Sequence, residues 1–187
     1  MAQFTKKAII DAFTELIGER PFDKITVKDI VTRCGVNRNT FYYYFEDIYA
    51  LVDELFQLET QKILGTETDY ASWQDAFLKA VAFARDNKLG IYHLYKSISR
   101  EQVENYLYKV TYDLLEGVVE EQAQGMSVRD EDKAFIATVY KYAFVGLMLD
   151  WIKNDMKGDS QLLVDRLELV IHGNVRAALE RLRIDKA

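Results

Sequence analysis

One proline, at position 21, is all that a chain of 187 residues contains, where average usage would supply about nine. Proline and glycine are the residues that stop helices, and only nine glycines accompany it. Between these breaks apolar residues recur at three- and four-residue spacing, so the chain reads as all-α, with long helices packed on one another. A hydrophobic content of 49% with 29% charged residues suits a folded body rather than a disordered one. The lone Cys34 has no partner for an intrachain disulfide, which suits a reducing compartment. Asp11 interrupts the first apolar run, so no signal peptide is expected, and no stretch approaches about 18 uncharged apolar residues. A cytoplasmic location with no membrane partner is the expectation.

The first helix is expected over 5–19, where Ala8, Ile9, Ala12, Phe13, Leu16 and Ile17 form one stripe and Gly18 and Pro21 close it. Thr26 and Asp29 have the spacing of a reciprocal N-terminal cap. Val27, Ile30, Val31 and Cys34 then form the inner face of a short second helix, ended at Gly35. Asn37 is a good cap for a third helix over 38–45, with Val36 and Phe41 at the spacing of a hydrophobic staple. A fourth helix is expected from near Asp47 toward Gly65. Beyond a polar stretch come five more helical patterns: one from a Ser72 cap to about Asn87, a short one around Tyr92 to Tyr95, a long one from a Ser99 cap toward Gly125, one over 131–154 and one over 161–183.

Two short helices joined through a glycine turn make a helix-turn-helix, and the outer face of the second helix tells what it is for. At about 100° per residue, Phe41, Tyr44 and Phe45 point into the small domain. Asn39, Tyr42 and Tyr43 then point away, with Arg38 and Thr40 beside the helix start. Arg38 and Asn39 suit base edges in a major groove, while tyrosine and threonine hydroxyls suit phosphate oxygens. Thr26 and Lys28 would meet the flanking backbone, which first helices of this motif cross. The bland alternative is that the tyrosines lean back on the fourth helix and the rest is ordinary surface. Charge leans the same way as the motif. Residues 1–45 carry seven Lys or Arg against five Asp or Glu, whereas the whole chain is at −6.

The segment TVKDIVTRCGVNRNTFYYYFEDIYALVDEL, within a match over about residues 5–60, resembles the N-terminal part of TetR-family transcriptional regulators. The resemblance implies a homodimer. Its N-terminal three-helix helix-turn-helix domain (1–46) would bind DNA, and a C-terminal helical bundle (47–187) would serve dimerisation and sensing. Carried over by position, it places DNA contacts on Thr26, Arg38, Asn39, Thr40, Tyr42, Tyr43 and Tyr44. One departure stands out: Glu46, Asp47 and Ile48 occupy the place where members usually carry a phosphate-gripping lysine, which lowers the expected non-specific affinity. The stretch FVGLMLDWIKNDMKGDSQLLVDRLELVI is similar, more loosely, to the C-terminal half of a Firmicutes-type subgroup that includes activators of dihydroxyacetone kinase operons.

In the body, Phe144, Leu147, Met148 and Trp151 of one long pattern and Leu167, Val170, Ile171, Asn174 and Ala178 of the last are read as a two-fold four-helix interface. Intrachain core is the other reading of the same stripes. Trp73, Phe77, Tyr92, Tyr95, Tyr106 and Tyr112 are candidates to line an effector cavity, with core packing as the alternative. The acidic body favours a neutral or cationic effector over an anionic one, and a protein effector is the rival to a small molecule. A dimeric helical scaffold that does not read DNA is the rival from another class. His93 and His172 have no ligand-spaced partner, Cys34 lies in a helix, and no nucleophile, phosphate loop or carboxylate pair is arranged for catalysis. Neither a metal, a cofactor nor an enzyme activity is expected.

Overall fold

A computed structural model describes residues 2–64, 73–97, 100–171 and 173–185. Among them are ten α-helices and no strand. They are α1 (Ala2–Glu19), α2 (Val27–Cys34), α3 (Arg38–Tyr44), α4 (Ile48–Leu64), α5 (Trp73–Asp86), α6 (Lys88–Tyr95), α7 (Arg100–Gln122), α8 (Asp130–Lys153), α9 (Ser160–Ile171) and α10 (Asn174–Leu182). A 3-10 turn, Phe22–Lys24, follows α1. The expected caps Ser72 and Ser99, the stop at Gly65 and His172 lie outside the described residues, as does the side chain of Trp73. The chain divides into two compact units, one of Met1–Thr68 and Phe83–Tyr106, the other of Asp69–Ala82 and Leu107–Ala187.

The first unit is built on Ile9, Phe13, Leu16, Ile30, Phe41, Leu51 and Val52, all fully buried. Burial of a side chain of this size contributes about 1.5–3 kcal/mol each, so this cluster is what holds three short helices that would not persist alone. Phe22 meets Phe13 edge to face at 6.3 Å and Tyr49 at 5.4 Å, closing the turn over the core. Lys6 pairs with Glu54 at 2.6 Å and lies over the Phe45 ring, tying α1 to the start of the body.

The first helix begins three residues earlier than the stripe predicts, and it runs through Gly18 to Glu19. Pro21 is the effective stop. Its missing N–H leaves the Ile17 carbonyl without a helical donor. His93 of α6 fills that position, its Nδ1–H donating to the Ile17 carbonyl at 2.6 Å. The α6 backbone runs so near that a Cβ on Gly90 would touch Ile17 at 3.6 Å.

In the second unit, α8 has two apolar faces. Ile136, Ala137, Phe144, Val145, Met148, Trp151 and Ile152 are buried within the protomer. Phe135, Val139 and Tyr142 are exposed on the other side, at helical spacing. This double burden is why α8, among the described residues, is long and apolar enough to cross a membrane by length and composition.

The expectation of one helix over 161–183 is corrected. It is broken at Gly173, whose φ of 71° is left-handed and separates α9 from α10. The apolar stripe continues across the break, so spacing alone had read it as one helix. The sign of one substitution distinguishes the two cases. Gly173→Ala is expected to lower stability by about 1 kcal/mol, whereas in a continuous helix it would raise it by a similar amount. Urea unfolding at fixed protein concentration reads that sign.

Candidate nucleic-acid interface

The geometry of the reading edge starts with two caps. The Thr26 backbone N–H donates to Asp29 Oδ2 at 2.9 Å and the Thr26 hydroxyl donates to the same oxygen at 2.6 Å, while the Asp29 N–H donates to Thr26 Oγ1 at 3.3 Å. This is the reciprocal cap that the spacing predicts, and these bonds from Thr26 hold the Asp29 carboxyl below its ordinary pKa. Gly35, at φ 71°, ends α2 by donating its N–H to the Val31 carbonyl. Asn37 Oδ1 then accepts from the Thr40 N–H at 2.8 Å and from the Thr40 hydroxyl at 3.0 Å, starting α3.

These caps hold α3 so that Phe41 and Phe45 are buried against each other, ring centroids 5.7 Å apart. Tyr42 is 54% exposed and Tyr43 80% exposed. Tyr44 is half-buried, its ring edge to face with Tyr43 at 4.9 Å. Arg38, Asn39 and Lys28 are exposed. Two of the candidate donors are already engaged: the Thr26 and Thr40 hydroxyls serve the caps, so each must exchange its partner to reach a phosphate.

Ion pairing sorts the basic residues further. Lys6 pairs with Glu54, Lys7 with Asp11, Arg20 with Asp29, Lys24 with Asp23, and Arg33 with both Glu15 and Glu19. The two glutamates raise the pKa of Arg33, and Arg33 in turn lowers that of Glu19. Among the described residues, Lys28 and Arg38 alone of the seven have no ion-pair partner. The positive charge free to meet a polyanion therefore lies on α2 and α3, beside the exposed tyrosines. Sequence reasoning overlooked the role of Asp47. Its Oδ1 accepts from the N–H groups of Tyr49 and Ala50, both at 2.8 Å, capping α4. The signal was present, since Asp is a preferred cap two and three residues ahead of such amides.

The aromatic residues singled out as a cavity lining belong to both units. Phe77 is buried against Phe144 in the second unit, ring centroids 5.8 Å apart. Tyr112, also there, donates to Glu116 at 3.2 Å, and its hydroxyl pKa is raised by burial and then by that carboxylate. In the first unit, Tyr95 is buried and Tyr92 carries the Lys96 ammonium over its ring at 4.8 Å. Tyr106 stacks on Phe56 at 4.7 Å and donates to the Phe56 carbonyl at 2.6 Å, and burial pushes its hydroxyl pKa up. The interface candidates also divide. Phe144, Met148, Trp151 and Leu167 are buried within the protomer, Ile171 and Ala178 are half-buried, and Leu147, Val170 and Asn174 are exposed.

Comparison with known proteins gives a consistent result along the chain. Residues 9–55 match the model of bacterial regulatory proteins of the tetR family, and residues 71–173 match that of a transcriptional regulator C-terminal region of TetR type. The HTH-type dhaKLM operon transcriptional activator DhaS of Lactococcus lactis subsp. lactis (strain IL1403) is 28% identical over 138 residues, 71% of each chain. Tetracycline repressor protein class D of Escherichia coli is 31% identical over 93 residues, 46% of this chain and 40% of that one. Among solved structures, dihydroxyacetone kinase operon activator DhaS superposes with a TM-score of 0.67 at 22% identity, covering 96% of this chain and 98% of that one. NalD, the secondary repressor of the MexAB-OprM multidrug efflux pump in Pseudomonas aeruginosa, gives 0.59 at 17%, covering 99% and 100%. At these identities the structures speak for the fold alone.

The reading edge makes separable predictions for DNA binding. Asn39→Ala and Tyr42→Ala are expected to abolish sequence preference while leaving helicity unchanged. Lys28→Ala is expected to weaken binding to all sequences alike and to flatten the salt dependence by about one unit of slope. Fluorescence anisotropy titrations over a salt series, with circular dichroism on the same samples, separate the two effects.

Proposed function

The chain belongs to the TetR family of bacterial regulatory proteins and is a DNA-binding transcriptional regulator rather than an enzyme, and from that premise we propose how its own residues do the work. Residues 1–46 read DNA, and residues 47–187 pair two copies and receive an effector. Arg38 and Asn39 read base edges, Tyr42, Tyr43 and Tyr44 with Thr40 grip the backbone, and Thr26 and Lys28 hold the flanking phosphates. The observation that carries this reading is the coincidence on one edge of exposed Tyr42 and Tyr43 with two basic residues, Lys28 and Arg38, that pair with no carboxylate among the described residues.

The partner for the exposed apolar stripe of α8 is a second copy of the chain. Phe135 at 66% exposure and Tyr142 at 57% are followed by exposed Ala143 and Gly146, small residues over which another helix can come close. On α9, Leu162, Leu169 and Val170 are exposed as well, with Leu169 at 82%. A self-complementary patch of this kind suits a two-fold dimer. Such a dimer also supplies what a palindrome demands, two recognition helices separated by roughly 34 to 36 Å. Because Phe144, Met148, Trp151 and Leu167 are interior, the copies meet through Phe135, Val139 and Tyr142 on α8 and Leu169 and Val170 on α9. An effector then shifts the dimer between two spacings of the reading helices. The work is done in the cytoplasm, where the operator is.

Leu169→Glu tests the pairing and the function together. Sedimentation is expected to show dimers of the unaltered protein and monomers of the variant, with helicity kept. Operator affinity is expected to fall by at least about a hundredfold, since each half-site is then bound alone. A monomer at micromolar concentration for the unaltered protein would overturn the proposal.

A further inference from the structure

The first unit contains a recess of about 310 Å³ between α1, α4, the end of α5 and α6. Counted at the volume of liquid water, that is room for about ten non-hydrogen atoms. Its wall is mainly apolar: Ile17 of α1, Leu55 and Phe56 of α4, Phe83 of α5, and Ile91 and Leu94 of α6. None of the tyrosines singled out from the sequence lines it.

The polar groups around the recess are few and unequal in sign. Glu59 and Asp86 are carboxylates, and Lys88 is the one base. Glu59 is held by Lys62 at 2.5 Å, and the Lys88 ammonium lies over the Tyr92 ring at 5.7 Å. Asp86 has no ion-pair partner among the described residues. The Thr14 hydroxyl donates to the Ile10 carbonyl at 3.0 Å, so what it can still offer is an acceptor oxygen. An apolar recess edged by acceptor oxygens, among them an Asp86 carboxylate without an ion-pair partner among the described residues, receives a donor or a cation better than an anion.

We propose that this recess binds a compact, largely apolar molecule carrying a cationic nitrogen, its body among Leu55, Phe56, Ile91 and Leu94 and its nitrogen at Asp86. The position is as informative as the chemistry. Ile17 and Gly90 are both wall of the recess and the place where α6 lies on α1, one turn from the bond between His93 and the Ile17 carbonyl. An occupant therefore touches the first helix of the DNA-reading domain directly. The binding claim does not rest on DNA recognition, and it is tested without DNA.

The probe is 2-phenylethylamine, compared with 2-phenylethanol and phenylacetate, titrated into the full chain with labelled Ile, Leu and Val methyl groups. Saturable shifts of Ile17, Leu55, Ile91 and Leu94 are expected for the amine, with a dissociation constant of about 1 mM or tighter for a ligand of this size. The alcohol is expected to bind about threefold more weakly and the carboxylate at least about tenfold more weakly. Gly18 also lines the recess, and a Cβ there meets nothing within 4 Å. Gly18→Leu should therefore fill it and weaken the amine by about tenfold or more, with the helix itself favoured by the change. Should that variant fail to fold, Asp86→Asn at an exposed position carries the test, bringing the amine to the affinity of the alcohol. The proposal is overturned by an absence of saturable shifts at these methyls, by shifts confined to α7–α10, by a preference for the carboxylate, or by amine binding that neither substitution changes.

Discussion

The carbonyl of Ile17 is the point from which much of the arrangement follows. Residue 21 is proline, so no N–H comes round the helix to meet that oxygen, and a buried acceptor without a donor is costly. His93 supplies the donor from 76 residues further along the chain. That bond, with Gly90 lying on Ile17, places α6 against the helix that supports the reading motif. It is also why the compact unit containing the helix-turn-helix includes Phe83–Tyr106, a stretch far from it in sequence. The recess beside Ile17 and the route by which an occupant would reach the DNA-reading domain both depend on this contact.

Charge is organised by the same economy of partners. The chain as a whole is acidic, at −6, which on its face argues against a polyanionic partner. In the N-terminal domain the acids are spent on structure: Glu15 and Glu19 hold Arg33, Asp29 caps α2 and holds Arg20, and Asp23 and Asp11 hold neighbouring lysines. Such surface pairs contribute little to stability. Their consequence is spatial, since they leave the free bases at Lys28 and Arg38. Asp47, which looked like a lost phosphate contact, is likewise committed to the first amides of α4.

The helix-turn-helix was legible residue by residue because everything that defines it is local. Thr26 and Asp29, Gly35, and Asn37 and Thr40 lie within one turn of their partners, so spacing alone implied the bonds that form. The faces of α3 followed from its period: Phe41 buried, Tyr42 and Tyr43 exposed. The body was legible only as helices. On α8, apolar residues occur on two sides, and periodicity does not say which side meets the protein's own core. Phe135 and Phe144 are the same residue type on opposite sides of the helix, yet one is exposed and the other buried. The aromatic excess is ambiguous for a related reason, because Tyr106 and Phe77 are large enough to be core and polar or flat enough to suit a cavity.

What the sequence determined by itself was the helices up to the last, the caps of the reading motif, the outward face of α3 and the family, all carried by residues within a few positions of one another. The break at Gly173 needed the tertiary structure, since an unbroken apolar stripe runs across a residue whose left-handed backbone no spacing reveals. So did the pairing of Ile17 with His93, the side of α8 that faces solvent, and a recess walled by residues from Thr14 to Leu94. Each of these depends on which helix packs against which. That choice is made by the whole buried surface of a unit at once, not by any short stretch of the chain.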